Sequence, residues 1–160
     1  MATSTLIQDL SSTSVACSAR RKVETYWASA AITAGQWVTF DQTKTGVERS
    51  KYVKPADAGA AATTIAVGVA ITAVTAAEAT AGAVVEVVVA GYVENASANT
   101  AGGATVKVVA GTQMTIGTTA GMAVLLHEIA GAHTQGQAVG YALEDSVGAT
   151  VDCIVTCSPS

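Results

Sequence analysis

Residues 65–94 read IAVGVAITAVTAAEATAGAVVEVVVAGYVE. From Val84 onward the apolar side chains alternate: Val85, Val87, Val89 and Val93 share one face, and Val84, Glu86, Val88, Ala90, Tyr92 and Glu94 share the other. A period of two is what a pleated strand imposes. Ile65, Val67, Val69 and Ile71 against Ala66, Gly68 and Ala70 repeat it, so the stretch predicts two β-strands. Between them TAAEATAG, residues 75–82, is the one modest helix candidate, and helix content is expected to be low.

The chain writes this stretch again near its end, as AVGYALEDSVGATVDCIVTC over 138–157. Three blocks recur in the same order: TAGQWVTF (33–40) with TAGMAVLL (119–126), AVGVAI (66–71) with AVGYAL (138–143), and AGAVVEVVVAG (81–91) with VGATVDCIVTC (147–157). In the last pair Glu86 meets Asp152, Val85 meets Val151, Val88 meets Ile154 and Val89 meets Val155, so each strand face is preserved. Cys153 then stands in for Val87, and Cys157 for Gly91. Three or four strands are marginal alone, so two such units must pack together. The predicted fold is all-β: a compact barrel or sandwich built from two similar β-modules, with an extended N-terminal arm. The arm is placed at 1–27 and a single β domain at 28–160, with repeat halves of about 28–94 and 100–157. The Ala66, Gly68 and Ala70 face, echoed by Ala138, Gly140 and Ala142, is expected where two sheets or two subunits approach closely.

Composition limits what such a scaffold can do. Half of the 160 residues are hydrophobic, yet only 4% are aromatic, so the core is made of short Ala and Val side chains. Burial per residue is then modest, at about 0.8 kcal/mol per methylene, and further stability is expected from oligomerisation or from docking onto a larger surface. Residues 1–54 carry seven basic side chains against four acidic ones, a net +3, while the remainder carries Lys107 alone against eight acids, a net −7. A mildly basic leading segment suits docking onto an acidic surface, but it lacks the basic face interleaved with aromatics that nucleic acid requires. No nucleic-acid partner is expected.

Cys17, Cys153 and Cys157 are an odd set and do not read as a disulfide framework. On one strand Cys153 and Cys157 would lie about 13 Å apart at ~3.3 Å per residue, too far to bridge. They read as buried apolar thiols. MATSTLIQDLSSTSV has neither the basic nor the apolar region of a secretion signal, and no run of about 18 apolar residues follows, so no membrane partner is expected.

His127, Glu128 and His133 are the sole cluster with ligand or catalytic potential, and their spacing matches no metal motif. No nucleophile elbow, phosphate-binding glycine loop or paired-carboxylate motif occurs. The chain is therefore expected not to be an enzyme, and to use no cofactor and no metal. Asn95-Ala96-Ser97 matches a glycosylation sequon, a weak signal without a secretion signal. Residues 47–53 read as a short strand, NASANTAGG after Glu94 as a connector, TAGGATVKVVAG as an alternating strand and GTQMTIG as another.

The densest charge lies in RRKVETYW, residues 20–27, beside the Tyr26–Trp27 pair. It reads either as a strand with one anchoring aromatic or as a docking surface, since Trp, Tyr and Arg dominate interface energetics. The residues singled out for contact are Arg20, Arg21, Lys22, Tyr26 and Trp27.

An Ala/Thr/Gly/Val-rich β-protein with a leading arm, a TAG-type turn into a strand, and VGVA and AGxxVxVxxxG blocks resembles the decoration, or cement, proteins of tailed-bacteriophage heads. The blocks concerned are Thr33–Phe40, Ala66–Ile71 and Ala81–Gly91 with their second copies, about half of the chain. The resemblance implies a homo-oligomer, a trimer by preference, that binds the major capsid protein on the exterior of the virion and reinforces it after synthesis in the host cytoplasm. The apparent duplication departs from the smaller members of that family. A carbohydrate-binding or adhesive module, such as a phage head-fibre or host-attachment protein, is the alternative, with Trp27, Trp37, Tyr92 or Tyr141 as a stacking platform. A small hydrolase using His127 or Glu128 is the third.

Overall fold

The computed structural model describes residues 21–57, 65–98, 108–117, 119–125 and 138–157. These hold nine strands: β1 (Lys22–Ala28), β2 (Trp37–Phe40), β3 (Tyr52–Pro55), β4 (Ala66–Ala70), β5 (Val84–Ser97), β6 (Gln113–Ile116), β7 (Ala123–Leu125), β8 (Gly140–Ala142) and β9 (Thr150–Val155). The fold is all-β, as the alternation predicts. TAAEATAG supplies the short helix α1 (Ala76–Thr80). It forms because Thr75 and Glu78 make a reciprocal capping box, the Thr75 side chain accepting from the Glu78 amide and Glu78 accepting from the Thr75 amide.

The strands run β1-β3-β2-β4-β5-β9-β8-β6-β7, and β1 also pairs with β5. The first five therefore close into a barrel. Its interior is Val38, Val53, Val67, Val85, Val87 and Val89 with Tyr26, short side chains that suit a narrow barrel. β5 is fourteen residues long and leaves this barrel to pair with β9 from Gly91 to Ser97.

What β5 enters is a second copy of the barrel. Val69 faces Val88 and Ala70 faces Val87, while Tyr141 faces Ile154 and Ala142 faces Cys153, the register of the AVGVAI/AVGYAL and AGAVVEVVVAG/VGATVDCIVTC matches. Cys153 does take the place of Val87, and both are fully buried. Gly68 and Gly140 meet the same obstacle: a Cβ on Gly68 would lie 2.1 Å from the Val88 carbonyl oxygen, and one on Gly140 would lie 2.4 Å from that of Ile154. The close approach, expected between two sheets or two subunits, is instead between neighbouring paired strands within each barrel, because the missing Cβ lets the adjacent backbone carbonyl in.

The first block match, TAGQWVTF with TAGMAVLL, is corrected by the pairings. β2 joins β4 through Trp37 to Val69 and Val38 to Gly68, and β6 joins β8 through Gln113 to Tyr141 and Met114 to Gly140. The counterpart of AGQWVTF (34–40) is therefore AGTQMTI (110–116), not TAGMAVLL. Backbone bonds agree: Gly35 N–H donates to Ala70 O at 2.7 Å and Gly111 N–H to Ala142 O at 2.8 Å. β7 answers β3, because Phe40 pairs with Val53 as Ile116 pairs with Ala123. The far half of β5 answers β1: Ala28 pairs in parallel with Val53, and Ala98 bridges in parallel to Ala123. Ala28 N–H donates to Ala83 O as Ala98 N–H does to Ala149 O. Two barrels of the same strand order thus share one strand, the last of the first barrel and the first of the second; the β1–β5 ladder closes the first, and the single Ala98–Ala123 bridge closes the second.

Other expectations shift for local reasons. Residues 22–27, assigned to the arm, are the core of β1. The predicted strand over 47–53 is instead a 3-10 helix, Gly46–Ser50, followed by β3. NASANTAGG begins inside β5, where Asn95 adopts a left-handed φ of 55° at a register shift, so the sequon lies in a paired strand. Much of TAGGATVKVVAG lies outside the described residues.

The outer face of the first barrel is not free. Trp37, Val69 and Val88 point away from its interior and join the second barrel's core. Trp37 is fully buried there, its indole N–H donating to Ser97 O at 3.2 Å and its backbone N–H to Gly121 O at 2.9 Å. This explains why Val88, predicted on the polar face of its strand, is buried: its partner on that face is the other barrel.

Candidate docking surface

Of the residues singled out from the sequence, Arg20 lies outside the described residues. Arg21 and Lys22 are exposed at the root of β1. Arg21 lines a groove of about 350 Å³ between the barrels with Gly35, Ile71, Val93, Glu94 and Asn95. Tyr26 is a core residue and not a surface one: it packs edge-on against Phe40 at 5.8 Å and its hydroxyl donates to Glu24 at 2.5 Å. The strand alternation sends Lys22, Glu24 and Tyr26 to one face and Val23, Thr25 and Trp27 to the other.

Glu24 links the cationic root to the core, accepting from Lys22 at 2.5 Å on one oxygen and from Tyr26 on the other. The hydrogen bonds from Lys22 and Tyr26 hold its carboxyl below the usual range. Burial, and then the hydrogen bond to Glu24, raises the Tyr26 hydroxyl well above its ordinary value. A depressed carboxylate stabilises the fold above its unfolded-state pKa, and this contribution is lost as pH falls through its folded value. The stability advantage of the native chain over Glu24→Gln should therefore be constant near neutrality and shrink below about pH 4.5, the unperturbed carboxyl value. The effect is small, because the Glu24 side chain is 34% exposed. Thermal melts between pH 7 and pH 3 check it, and parallel curves for the two proteins would refute it.

Trp27 is the surface aromatic. It is 42% exposed and stacks on Tyr52 of β3, centroids 6.3 Å apart, with the Lys44 ammonium 4.5 Å over the Tyr52 ring. Val84, its cross-strand partner on β5, is exposed too. Arg49 and Lys51 lie on the connection that leads into β3, and the Arg49 Nε–H donates to the Lys44 carbonyl. Neither forms an ion pair among the described residues. Tyr52 and Lys44 carried no signal of their own in the sequence. Only the pairing of β1 with β3 brings them to Trp27.

Of the four aromatics named as alternatives for a glycan-stacking platform, two are exposed. Trp37 is buried in the junction. Tyr92 is half-buried, its hydroxyl donating to Asp152 at 2.6 Å. Tyr141 is exposed on the second barrel, and Trp27 on the first. His127, Glu128 and His133 lie outside the described residues. Among the described residues no group of three or more His, Cys, Asp or Glu could hold a metal, and no helix is long and apolar enough to cross a membrane. Cys153 and Cys157 are buried free thiols, and burial pushes both up to about 12.

No protein-family model matches the chain, and no curated protein matches its sequence. Among solved structures it is similar to the head fiber gp8.5 N base of bacteriophage phi29, with a TM-score of 0.48 and 17% identity over 86% of this chain and 96% of that one.

Proposed function

We propose that this chain is a structural protein of a bacteriophage virion, which attaches to the outside of the capsid through its leading segment and reinforces the shell. The observation that carries this reading is the anchoring of that segment. The basic run Arg20–Lys22 leads directly into β1, a strand held on both sides, by β5 over Lys22–Trp27 and by β3 at Trp27 and Ala28. Force on residues 1–21 therefore passes into a closed barrel instead of peeling an edge strand. The partner is the major capsid protein, presenting an acidic surface to Arg20, Arg21 and Lys22, and a leading segment that orders on binding adds contact area.

Co-sedimentation with purified capsids tests it. Deleting residues 1–19 should abolish particle binding while leaving the far-ultraviolet circular dichroism and the melting transition of the body in place. Arg21→Glu with Lys22→Glu should weaken binding at least tenfold and reduce its salt sensitivity. Undiminished binding by the truncated chain would overturn the proposal. Glycan-array binding that depends on Trp27 would favour an adhesive module in its place.

A further inference from the structure

The two barrels of one chain meet through faces that both barrels possess. On the first barrel the junction uses the row Trp37, Val69 and Val88, which runs across β2, β4 and β5, with Ile71 packed at its edge. The same register on the second barrel gives Gln113, Tyr141 and Ile154 across β6, β8 and β9, with Leu143 in the place of Ile71. That second row faces solvent: Tyr141 is 41% and Leu143 49% exposed.

The other side of the junction behaves in the same way. The second barrel presents Ser97, whose carbonyl accepts the Trp37 indole N–H, and the Gly121 turn, whose backbone bonds to Trp37 and Ala56. Their counterparts on the first barrel, by the β1/β5 and β3/β7 equivalence, are Trp27 and Lys51, with Tyr52 next to Lys51. These carry the exposed aromatic patch. Each chain thus uses one copy of each face internally and leaves the other copy open.

The open pair is complementary in volume and charge. In the internal junction the first row supplies the large side chain, Trp37, and the opposing face a small one, Ser97. In the open pair the bulk moves across: Gln113 replaces Trp37, and Trp27 replaces Ser97. The connection 41–52 is longer than its counterpart 117–122, and it adds Lys44 and Arg49 beside the patch. Glu144 and Asp145 follow Leu143 in the chain, Asp145 also accepting from the Ala110 N–H, while the Asp152 carboxylate is taken up within the chain by Tyr92 and Asn95. Nothing in the barrel fold requires these differences between the copies.

We infer that the chain self-associates head to tail, the Trp27–Tyr52 face of one copy docking on the Tyr141–Leu143 face of a second and so continuing the barrel-on-barrel packing within the chain. Such a heterologous contact closes into a ring if the rotation permits and otherwise grows into a filament. It concerns free protein in solution and does not rest on the virion reading, so capsid binding and self-association can fail separately.

Sedimentation equilibrium of the full chain tests it, with two variants that each block one face, Trp27→Asp and Tyr141→Asp. The native chain should exceed monomer mass at micromolar concentration, and more so at low salt. Each variant alone should be monomeric with a native melting transition. An equimolar mixture should form dimers and nothing larger, because only one intact face of each kind remains. If either variant unfolds, Tyr52→Asp and Leu143→Asp replace the pair. A native chain that stays monomeric to hundreds of micromolar, variants that assemble like the native chain, or a mixture that stays monomeric would each overturn the inference.

Discussion

Trp37→Ala should destabilise the protein by about 3–5 kcal/mol, the cost of truncating a fully buried large aromatic. Its effect should not stay local. Trp37 belongs to β2 of the first barrel, yet its ring is part of the second barrel's core, and its Cη2 atom lies 3.4 Å from where a Cβ on Gly140 would stand. Truncation opens a cavity between the barrels and leaves the Ser97 carbonyl without the indole donor. Chemical denaturation followed by tyrosine fluorescence and by circular dichroism should show both barrels weakened together. A loss below about 1 kcal/mol would mean that the junction is not packed as described.

Gly68→Ala and Gly140→Ala should be comparably damaging, at about 3 kcal/mol or more each. The added methyl would overlap a backbone carbonyl oxygen in a neighbouring strand, which cannot move without parting β4 from β5, or β8 from β9. Gly46→Ala and Gly148→Ala are the controls. Both have positive φ, 58° and 62°, and open space around the added atom, so they should cost only about 1–2 kcal/mol from backbone strain. Urea midpoints rank the four. Equal costs at the crowded and open glycines would contradict the strand approach in both barrels.

Much of this architecture was legible before any coordinates. The period of two in β4 and β5 marks the strand pair, and its echo over 138–157 marks a second, similar module, because paired strands preserve both alternation and register; that each module curls into a barrel of its own, where one barrel or sandwich was expected from the two together, is decided by the pairings of β1 with β5 and of Ala98 with Ala123. Simple sequence misled at TAGMAVLL, which shares four letters with TAGQWVTF, whereas the true counterpart AGTQMTI shares only three with AGQWVTF. The pairing partners of β6, which no local pattern encodes, decide between them. The same holds for Val88 and Trp37: alternation assigns each to a face but cannot tell that a second barrel covers it. Tyr26 and Trp27 show both outcomes side by side, since adjacency in sequence sends one inward to Phe40 and the other outward to Tyr52. Lys44 and Tyr52 were invisible as site residues because they reach Trp27 only through the parallel pairing of β1 with β3.

The claim on which the rest depends is that two closed barrels share β5. Nuclear Overhauser effects across the two parallel closures test it most directly. Backbone contacts between Ala28 and Val53 and between Ala98 and Ala123 should both be observed, in the same protein and under the same conditions. Contacts for Ala28 with none for Ala98 would leave the second module an open sheet and contradict the shared-strand duplication.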